Sequence, residues 1–400
     1  MWIPLLWACT TPPPVPAAPG PPVQRPAPAP PSAPPPAPPP PDRHVLLVAA
    51  GDVLPHRRVK EAGARHGWST VFADIAPLIR GADLAMANLE SPVAPDAHQG
   101  IHGEVFNAPQ GLLGGLVQAG FDVVSLANNH AFDQGPDGLV ETWRRARATG
   151  LGTIGAGPSC AAAAEPHLAE VDGVKIAFIA TVDLVNIDGN TTDDAPCLFV
   201  AGDVCTGDCG PDRDAVHFRP ELARLTSAIT AAREGADLVI VSAHWGDEYR
   251  TEPLPEYPPL AAALVNAGAD AIIGHHPHVL QPVQRLVASD GREAVVAFSL
   301  GNLVSDMAQR YDVAHSPPRR GNTRDGALLA IQWTVSGDAP PRLTEVGVIP
   351  TWTDNQPDRI TVIRHETLSS RSPSLYEVRR TEVSKIIESS LMMEVLPSSP

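Results

Sequence analysis

The sequence predicts an α/β domain preceded by a disordered proline-rich segment, and three observations carry that prediction. Of the 45 prolines among 400 residues, eighteen fall between Pro12 and Pro41. Proline donates no backbone hydrogen bond, so residues 10–43 read as a Pro/Ala-rich spacer of polyproline character. Second, a unit recurs four times: a helical stretch, a Gly-x-Asp triplet, then a short apolar run. Its instances are Gly81-Ala82-Asp83, Gly120-Phe121-Asp122, Gly235-Ala236-Asp237 and Gly268-Ala269-Asp270. Glycine just past a helix accepts the left-handed backbone that ends it. Third, the runs that follow are four to six residues long and partly β-branched, as buried strands require.

The elements follow in order. HVLLVAA opens the domain at residue 44, and the runs LAMAN, VVSLAN, VKIAFIA, LVIVSA, AIIG and AVVAFSL follow it as strands. Helices are expected at 56–66, 109–119, 136–149, 219–234 and 257–267. Alternation of this kind over residues 44–352 argues for an α/β or layered α-β-α domain. The Gly152–Gly157 stretch has the composition of a phosphate loop, but no Lys-Ser/Thr follows, so a tight turn is expected there. After Trp352 the chain turns polar. Residues 353–400 read as an extension with one helix near Ser374–Met393.

Composition narrows the function. Net charge is −16, and Arg25, Asp42 and Arg43 are the only charges before the domain, so the acidity belongs to the folded part. That excludes a broad nucleic-acid surface, which needs clustered Lys and Arg. No apolar run reaches the length of a membrane-spanning helix. Residues 1–9, MWIPLLWAC, end in a box resembling the bacterial lipoprotein cleavage site, with Cys9 as the acylated residue. The apolar stretch is short and lacks a preceding Lys or Arg, so it reads as a truncated lipoprotein signal. The alternative is a chance cysteine in a disordered end. With acylation, the chain would be an extracytoplasmic, membrane-anchored or periplasmic protein. The remaining cysteines, Cys160, Cys197, Cys205 and Cys209, allow two disulfides in three pairings.

What ends each strand carries the chemistry. Asp52 follows the first, Glu90 the second, and Asn128-Asn129-His130 the third. His244-Trp245-Gly246, His275-His276-Pro277-His278 and Gly301-Asn302 end three more. Carboxyl ends of strands form the ligand-binding rim of α/β sheets. Asp, Glu, Asn and His without thiolate suit one or two divalent ions such as Mn, Fe or Zn. Two ions sharing a carboxylate polarise a phosphoryl oxygen and activate water, with an unligated His as acid.

The motifs GDVLPH, ANLESPV, SLANNHAFDQG, SAHWGDEY, IIGHHPHVLQPV and SLGNLV resemble, in order and spacing, those of CapA-type proteins of bacterial poly-γ-glutamate capsule synthesis. That family is similar to the calcineurin-like metallophosphoesterases. The resemblance covers about residues 44–352 and implies a layered α-β-β-α sandwich. It implies metal ligands at Asp52, Glu90 (bridging), Asn129, His244, His276 and His278, with His275 as an alternative, and a general acid at His130. Asn128, Asn302, Trp245, Glu248 and Arg324 are further cleft candidates, Trp245 and Glu248 with packing or loop solvation as the alternative and Arg324 with a surface ion pair. Partners would be an anionic cell-surface polymer or its biosynthetic machinery. Two departures matter: Leu54 stands where the superfamily's Asp-x-His places a histidine, the nearest being His56, and Glu90 stands where Asp is usual. They imply a weaker second metal position and leave two outcomes open, a hydrolase or a non-catalytic binding, export or anchoring component. His66, His98, His102, His167, His217, His315 and His365 are expected at the surface or in loops.

Overall fold

The computed structural model describes residues 42–97, 105–187, 189–205, 215–337 and 339–397, with Thr11, Pro13, Pro14 and Gly20. Cys9, Cys209 and nearly all of the proline-rich segment lie outside the described residues. The chain builds two large sheets in three passes. β1 (Arg43–Val53), β2 (Leu84–Leu89), β3 (Val123–Ser125) and β4 (Gly152–Ile154) enter the first sheet in parallel, side by side. β5 (His167–Val171), β6 (Val174–Val182), β7 (Leu238–His244), β8 (Ala271–His275), β9 (Val283–Val287) and β10 (Glu293–Ala297) make the second, in the order β9-β10-β8-β7-β6-β5. The chain then returns to the first sheet. There β11 (Asn302–Val304) pairs with β1, and β12 (Asp325–Val335), β13 (Arg342–Asn355) and β14 (Ile360–Arg364) extend it antiparallel on the far side of β1.

Alternation along the second sheet decides its two faces. Ile176, Phe178, Ile240, Ile273 and Val295 join the core shared with the first sheet. Their neighbours Ala177, Ile179, Val239, Val241, Ile272 and Val296 pack against Leu225, Ile229, Leu264 and Val265 of the helices Leu222–Glu234 and Tyr257–Ala267. Sequential strand residues point to opposite faces, so one sequence serves both layers. The first sheet carries the helices Arg57–His66 and Gly111–Ala119 through Val59, Leu112, Leu113 and Leu116. The result is the layered α-β-β-α sandwich.

The repeated Gly-x-Asp unit has a physical job that the sequence alone did not disclose. Each aspartate clamps the start of the preceding neighbour strand with two bonds. Asp83 Oδ2 accepts from Leu46 N (2.8 Å) while Asp83 N donates to Leu46 O (3.0 Å). Asp122 does the same with Ala85, Asp237 with Lys175, and Asp270 with Val239. Of the glycines, Gly120 (φ 108°) and Gly268 (φ 126°) take positive φ as expected. Gly235 is right-handed (φ −107°) and Gly81 is not among the positive-φ glycines.

Four expectations are corrected. The boundary after Trp352 falls inside β13, and residues 360–364 supply the edge strand β14. The helix expected near 374–393 is present but shorter, Pro373–Val383, and is preceded by a second helix, His365–Arg371; Val383 and Ile387 are buried in the main core. His365, expected at the surface, is buried under them, and burial pulls its pKa down to about 4. Finally, the 152–157 stretch is mostly strand, with Gly155 (φ 79°) supplying the turn.

Candidate metal centre

Asp52 ends β1, where the strand bulges against β2 between Ala49 and Asp52. Gly51 makes the site's geometry affordable, because a Cβ there would lie 2.0 Å from the Gly301 carbonyl oxygen. Close approach of these segments lets Asp52 N donate to Gly301 O (3.0 Å) and sets Asp52 beside Asn302. Glu90 follows β2, two residues past Asn88, so both project from the same strand face. His244 and His275 are register partners at the ends of β7 and β8. Beyond them the backbone is strained: His276 (φ 95°) and His278 (φ 57°) are non-glycine residues with positive φ. Such conformations persist where the surroundings over-determine them, typically at functional sites.

These strand ends converge. Ligand atoms of Glu90, His276 and His278 all lie within 4.8 Å of one another. His244 Nε2 lies 3.0 Å from Asn129 Oδ1 and 3.6 Å from Glu90 Oε1. His278 Nε2 is 3.8 Å from Glu90 and 3.8 Å from Glu248, while its Nδ1 lies 3.1 Å from Asn302 Oδ1 and 3.4 Å from Asp52 Oδ2. His275 Nδ1 approaches Asp52 Oδ1 at 3.1 Å. His130 Nδ1 is held 2.9 Å from Asp133 Oδ2.

Glu90 decides whether a cation fits. It is fully buried, and neither carboxylate oxygen has a hydrogen-bond partner among the described residues. Burial first, then repulsion from Asp52, holds its pKa well above the ordinary carboxylate range. A buried carboxylate with bare oxygens costs several kcal/mol unless a positive charge compensates it. Burial also pulls His244 well below the usual imidazole range and His276 to about 3, so both are neutral donors. For Asp52, burial works upward, but His275 and His278 outweigh it and hold the carboxyl well below its usual value. For His278 burial works downward, but Glu90 and Asp52 outweigh it and raise the ring to about 9. Neutral His244 and His276, an ionised Asp52, and a Glu90 with bare oxygens beside His278 form an oxygen and nitrogen donor set suited to a divalent cation that would displace the His278 proton.

The structure brings Asp52, Glu90, Asn129, His130, His244, His275, His276, His278 and Asn302 together, with Glu248 at the exposed rim. Asn128 lies one step back, donating to Asn88 Oδ1 (3.2 Å) and Leu89 O (2.9 Å). Trp245 belongs to packing: it is buried and donates to Phe298 O (2.9 Å). Arg324, expected as a cleft residue or in a surface ion pair, is buried, stacks 4.2 Å over Trp352 and donates to Thr353 O (2.8 Å). Leu54 is buried, and His56 instead faces Asp306 at 3.6 Å.

Three further residues hold the centre. Asn88 Nδ2 donates to Asp52 Oδ1 (2.9 Å) and stands 3.3 Å from His244 Nδ1. Asp133 orients His130. Asn186 takes Asn129 O through its backbone N–H (3.0 Å) and brings its amide 3.5 Å from His130 Nδ1. Asn88 and Asp133 stand inside quoted motifs, at i−2 from Glu90 and i+3 from His130, spacings that place side chains on a shared face or turn. Asn186 lies in an irregular segment with no periodic signal. That segment is stapled by a Cys160–Cys197 disulfide; Cys205 is also disulfide-bonded, and Cys209 lies outside the described residues.

Residues 46–307 match the family described as bacterial capsule synthesis protein PGA_cap. The capsule biosynthesis protein CapA of Bacillus anthracis is 31% identical over 302 residues, covering 73% of this chain and 65% of that protein. The PGA biosynthesis protein CapA of Bacillus subtilis (strain 168) is 29% identical over 304 residues, covering 74% and 70%. Among solved structures, Haemophilus influenzae NAD nucleotidase is 11% identical with a TM-score of 0.41, covering 88% of this chain and 58% of that one. The family match spans most of the folded domain and includes every strand end of the cluster, so this chain belongs to the PGA_cap family of bacterial capsule synthesis proteins.

Proposed function

We propose that this protein serves the synthesis of an anionic cell-surface polymer, of the poly-γ-glutamate or capsule kind, through a divalent-metal centre that hydrolyses a phosphoester or amide bond. The carrying observation is Glu90, a fully buried carboxylate with both oxygens bare among histidines. The names of the Bacillus relatives support the polymer class. Asp52, Glu90 and His278 would hold one ion, and Glu90, Asn129, His244 and His276 a second, of Mn, Fe or Zn type. Bound there, the metal supplies Lewis acidity and an activated water.

The protein's own groups do the rest. Asn88 fixes Asp52 and His244 relative to each other. Asp133 occupies His130 Nδ1, which leaves Nε2 as the nitrogen that hands a proton to the leaving group. Burial of the cluster excludes bulk water and strengthens every charge interaction in it. The workplace is the cell envelope: disulfides belong to oxidising compartments, and Cys9 with its proline-rich spacer would tether the domain to a membrane. Polymer or its synthetic machinery is the partner.

Metal analysis of purified protein, with assays on generic phosphoesters and on poly-γ-glutamate, tests the reading. Glu90→Gln and His244→Ala are expected to lose bound transition metal and at least about 100-fold in activity, more than the loss of a ligand's hydrogen-bond partner costs. Wild-type protein that takes up no metal overturns it. A second reading rests on Leu54: a buried leucine replaces a ligand, so the cleft holds polymer without cutting it. Polymer binding that survives chelation unchanged, with no hydrolysis, favours that alternative.

A further inference from the structure

The proposed metal centre is hydrogen-bonded to residues beyond 46–307, the region the family pattern matches. We propose that Arg379, on the helix Pro373–Val383, is a positioning residue for His278, acting through the 318–324 turn and Asn302; the inference rests on the metal reading above. Arg379 is fully buried. A guanidinium withdrawn from water needs every donor engaged. Its hydrogen bonds to Pro318 O (2.5 Å), Asn322 Oδ1 (2.8 Å), Asp325 Oδ1 (3.1 Å) and Asp325 Oδ2 fall on one short segment, and its guanidinium also lies 5.7 Å from the Tyr311 ring and 5.6 Å from the Trp352 ring. Gly321 makes room for it, since a Cβ there would stand 2.8 Å from Nη1. The segment is therefore shaped around one side chain.

The same segment reaches the site. Thr323 O, between Asn322 and Asp325, accepts from Asn302 Nδ2 (2.9 Å), which also reaches His278 O at 3.3 Å. That fixes the amide so that Oδ1 meets His278 Nδ1 at 3.1 Å. With Nδ1 taken, Nε2 is the nitrogen turned toward Glu90. His278 needs this support because its backbone sits at φ 57°, a conformation its own chain does not favour. A plain tether for the C-terminal helices would have no reason to place its one fully buried cation on the segment that orients a ligand. Fixing the far nitrogen of a ligating imidazole typically changes metal affinity 10- to 100-fold.

The test is a competition titration of the full chain with Zn²⁺ against a chelating indicator, alongside thermal unfolding. Arg379→Met and Asn302→Ala are compared with Val265→Ala, a buried substitution in a helix of the other sheet. Arg379→Lys keeps the charge but not the planar fork, and it serves if the Met variant does not fold. Expected is a loss of about tenfold or more in Zn²⁺ affinity for the Asn302 and Arg379 variants. The Val265 control should lose stability but not affinity. Arg379 variants that fold and bind Zn²⁺ like wild type overturn the proposal, as does equal weakening in the control. Wild-type protein that binds no Zn²⁺ instead sinks the metal reading on which it stands.

Discussion

Two buried carboxylates, Glu90 and Asp183, are pushed upward first by burial, but they differ in their neighbours. Glu90 faces histidines and Asp52. Asp183 receives the Tyr257 hydroxyl and Gly246 N (3.3 Å), and burial lifts it to about 7 despite these bonds. A raised folded pKa means the protonated form favours folding. The stability Asp183 contributes is therefore complete below about pH 4 and is lost as pH rises through about 7. Over that window it amounts to on the order of 4 kcal/mol at 1.36 kcal/mol per unit. Asp183→Asn should abolish this slope, so denaturation midpoints of variant and wild type should diverge between about pH 4 and 7, the variant being the more stable at the alkaline end. Parallel midpoints across that range would refute the assignment. At this scale the sequence named most ligands because each ends a strand in a quoted motif. It missed Asn186 and Arg379, whose roles come from loops and helices that approach only after folding.

The Gly-x-Asp clamp sets parallel register at the entry of each strand, and register fixes where the strand's far end arrives. Asp122 is exposed and its loss removes one clamp bond, so Asp122→Ala should cost about 1 kcal/mol. Asp270 is buried and also holds Arg233 (2.9 Å) and Arg292 (3.3 Å), so Asp270→Ala should cost about 3–5 kcal/mol. Chemical denaturation of the two variants checks the order; equal costs would mean the clamp is incidental. The Cys160–Cys197 bond closes a separation of 37 residues and secures the segment that carries Asn186 to the Asn129-His130 pair. In the chain-entropy account its removal by Cys160→Ala/Cys197→Ala costs about 4 kcal/mol, measurable as a lower denaturation midpoint. Strand and helix positions were legible because periodicity and glycine stops are local. The role of residues 353–400 was not. Their polar composition conceals Val383 and Ile387, which find their apolar partners only in the folded core.

For the whole molecule, the proposed metal would link binding to folding, because a cation that binds only the assembled cluster stabilises the folded state. At 100 times its dissociation constant such an ion adds about 2.7 kcal/mol. Chelation should therefore lower the melting temperature reversibly in wild type and leave Glu90→Gln unmoved; equal responses would place the bound ion elsewhere. The order of strands, their terminal Asp, Glu, Asn and His residues and the α/β class were determined by the sequence alone. Strand periodicity, helix stops and motif spacing are short-range properties that no distant contact can rewrite. Only the tertiary structure decided that two sheets stack, that β13 and β14 close one of them, and that Asn88, Asn186 and Arg379 hold the centre. The physical reason is that a buried polar atom must find its partner wherever the packed chain supplies one, and that location is set by the fold rather than by neighbours in sequence.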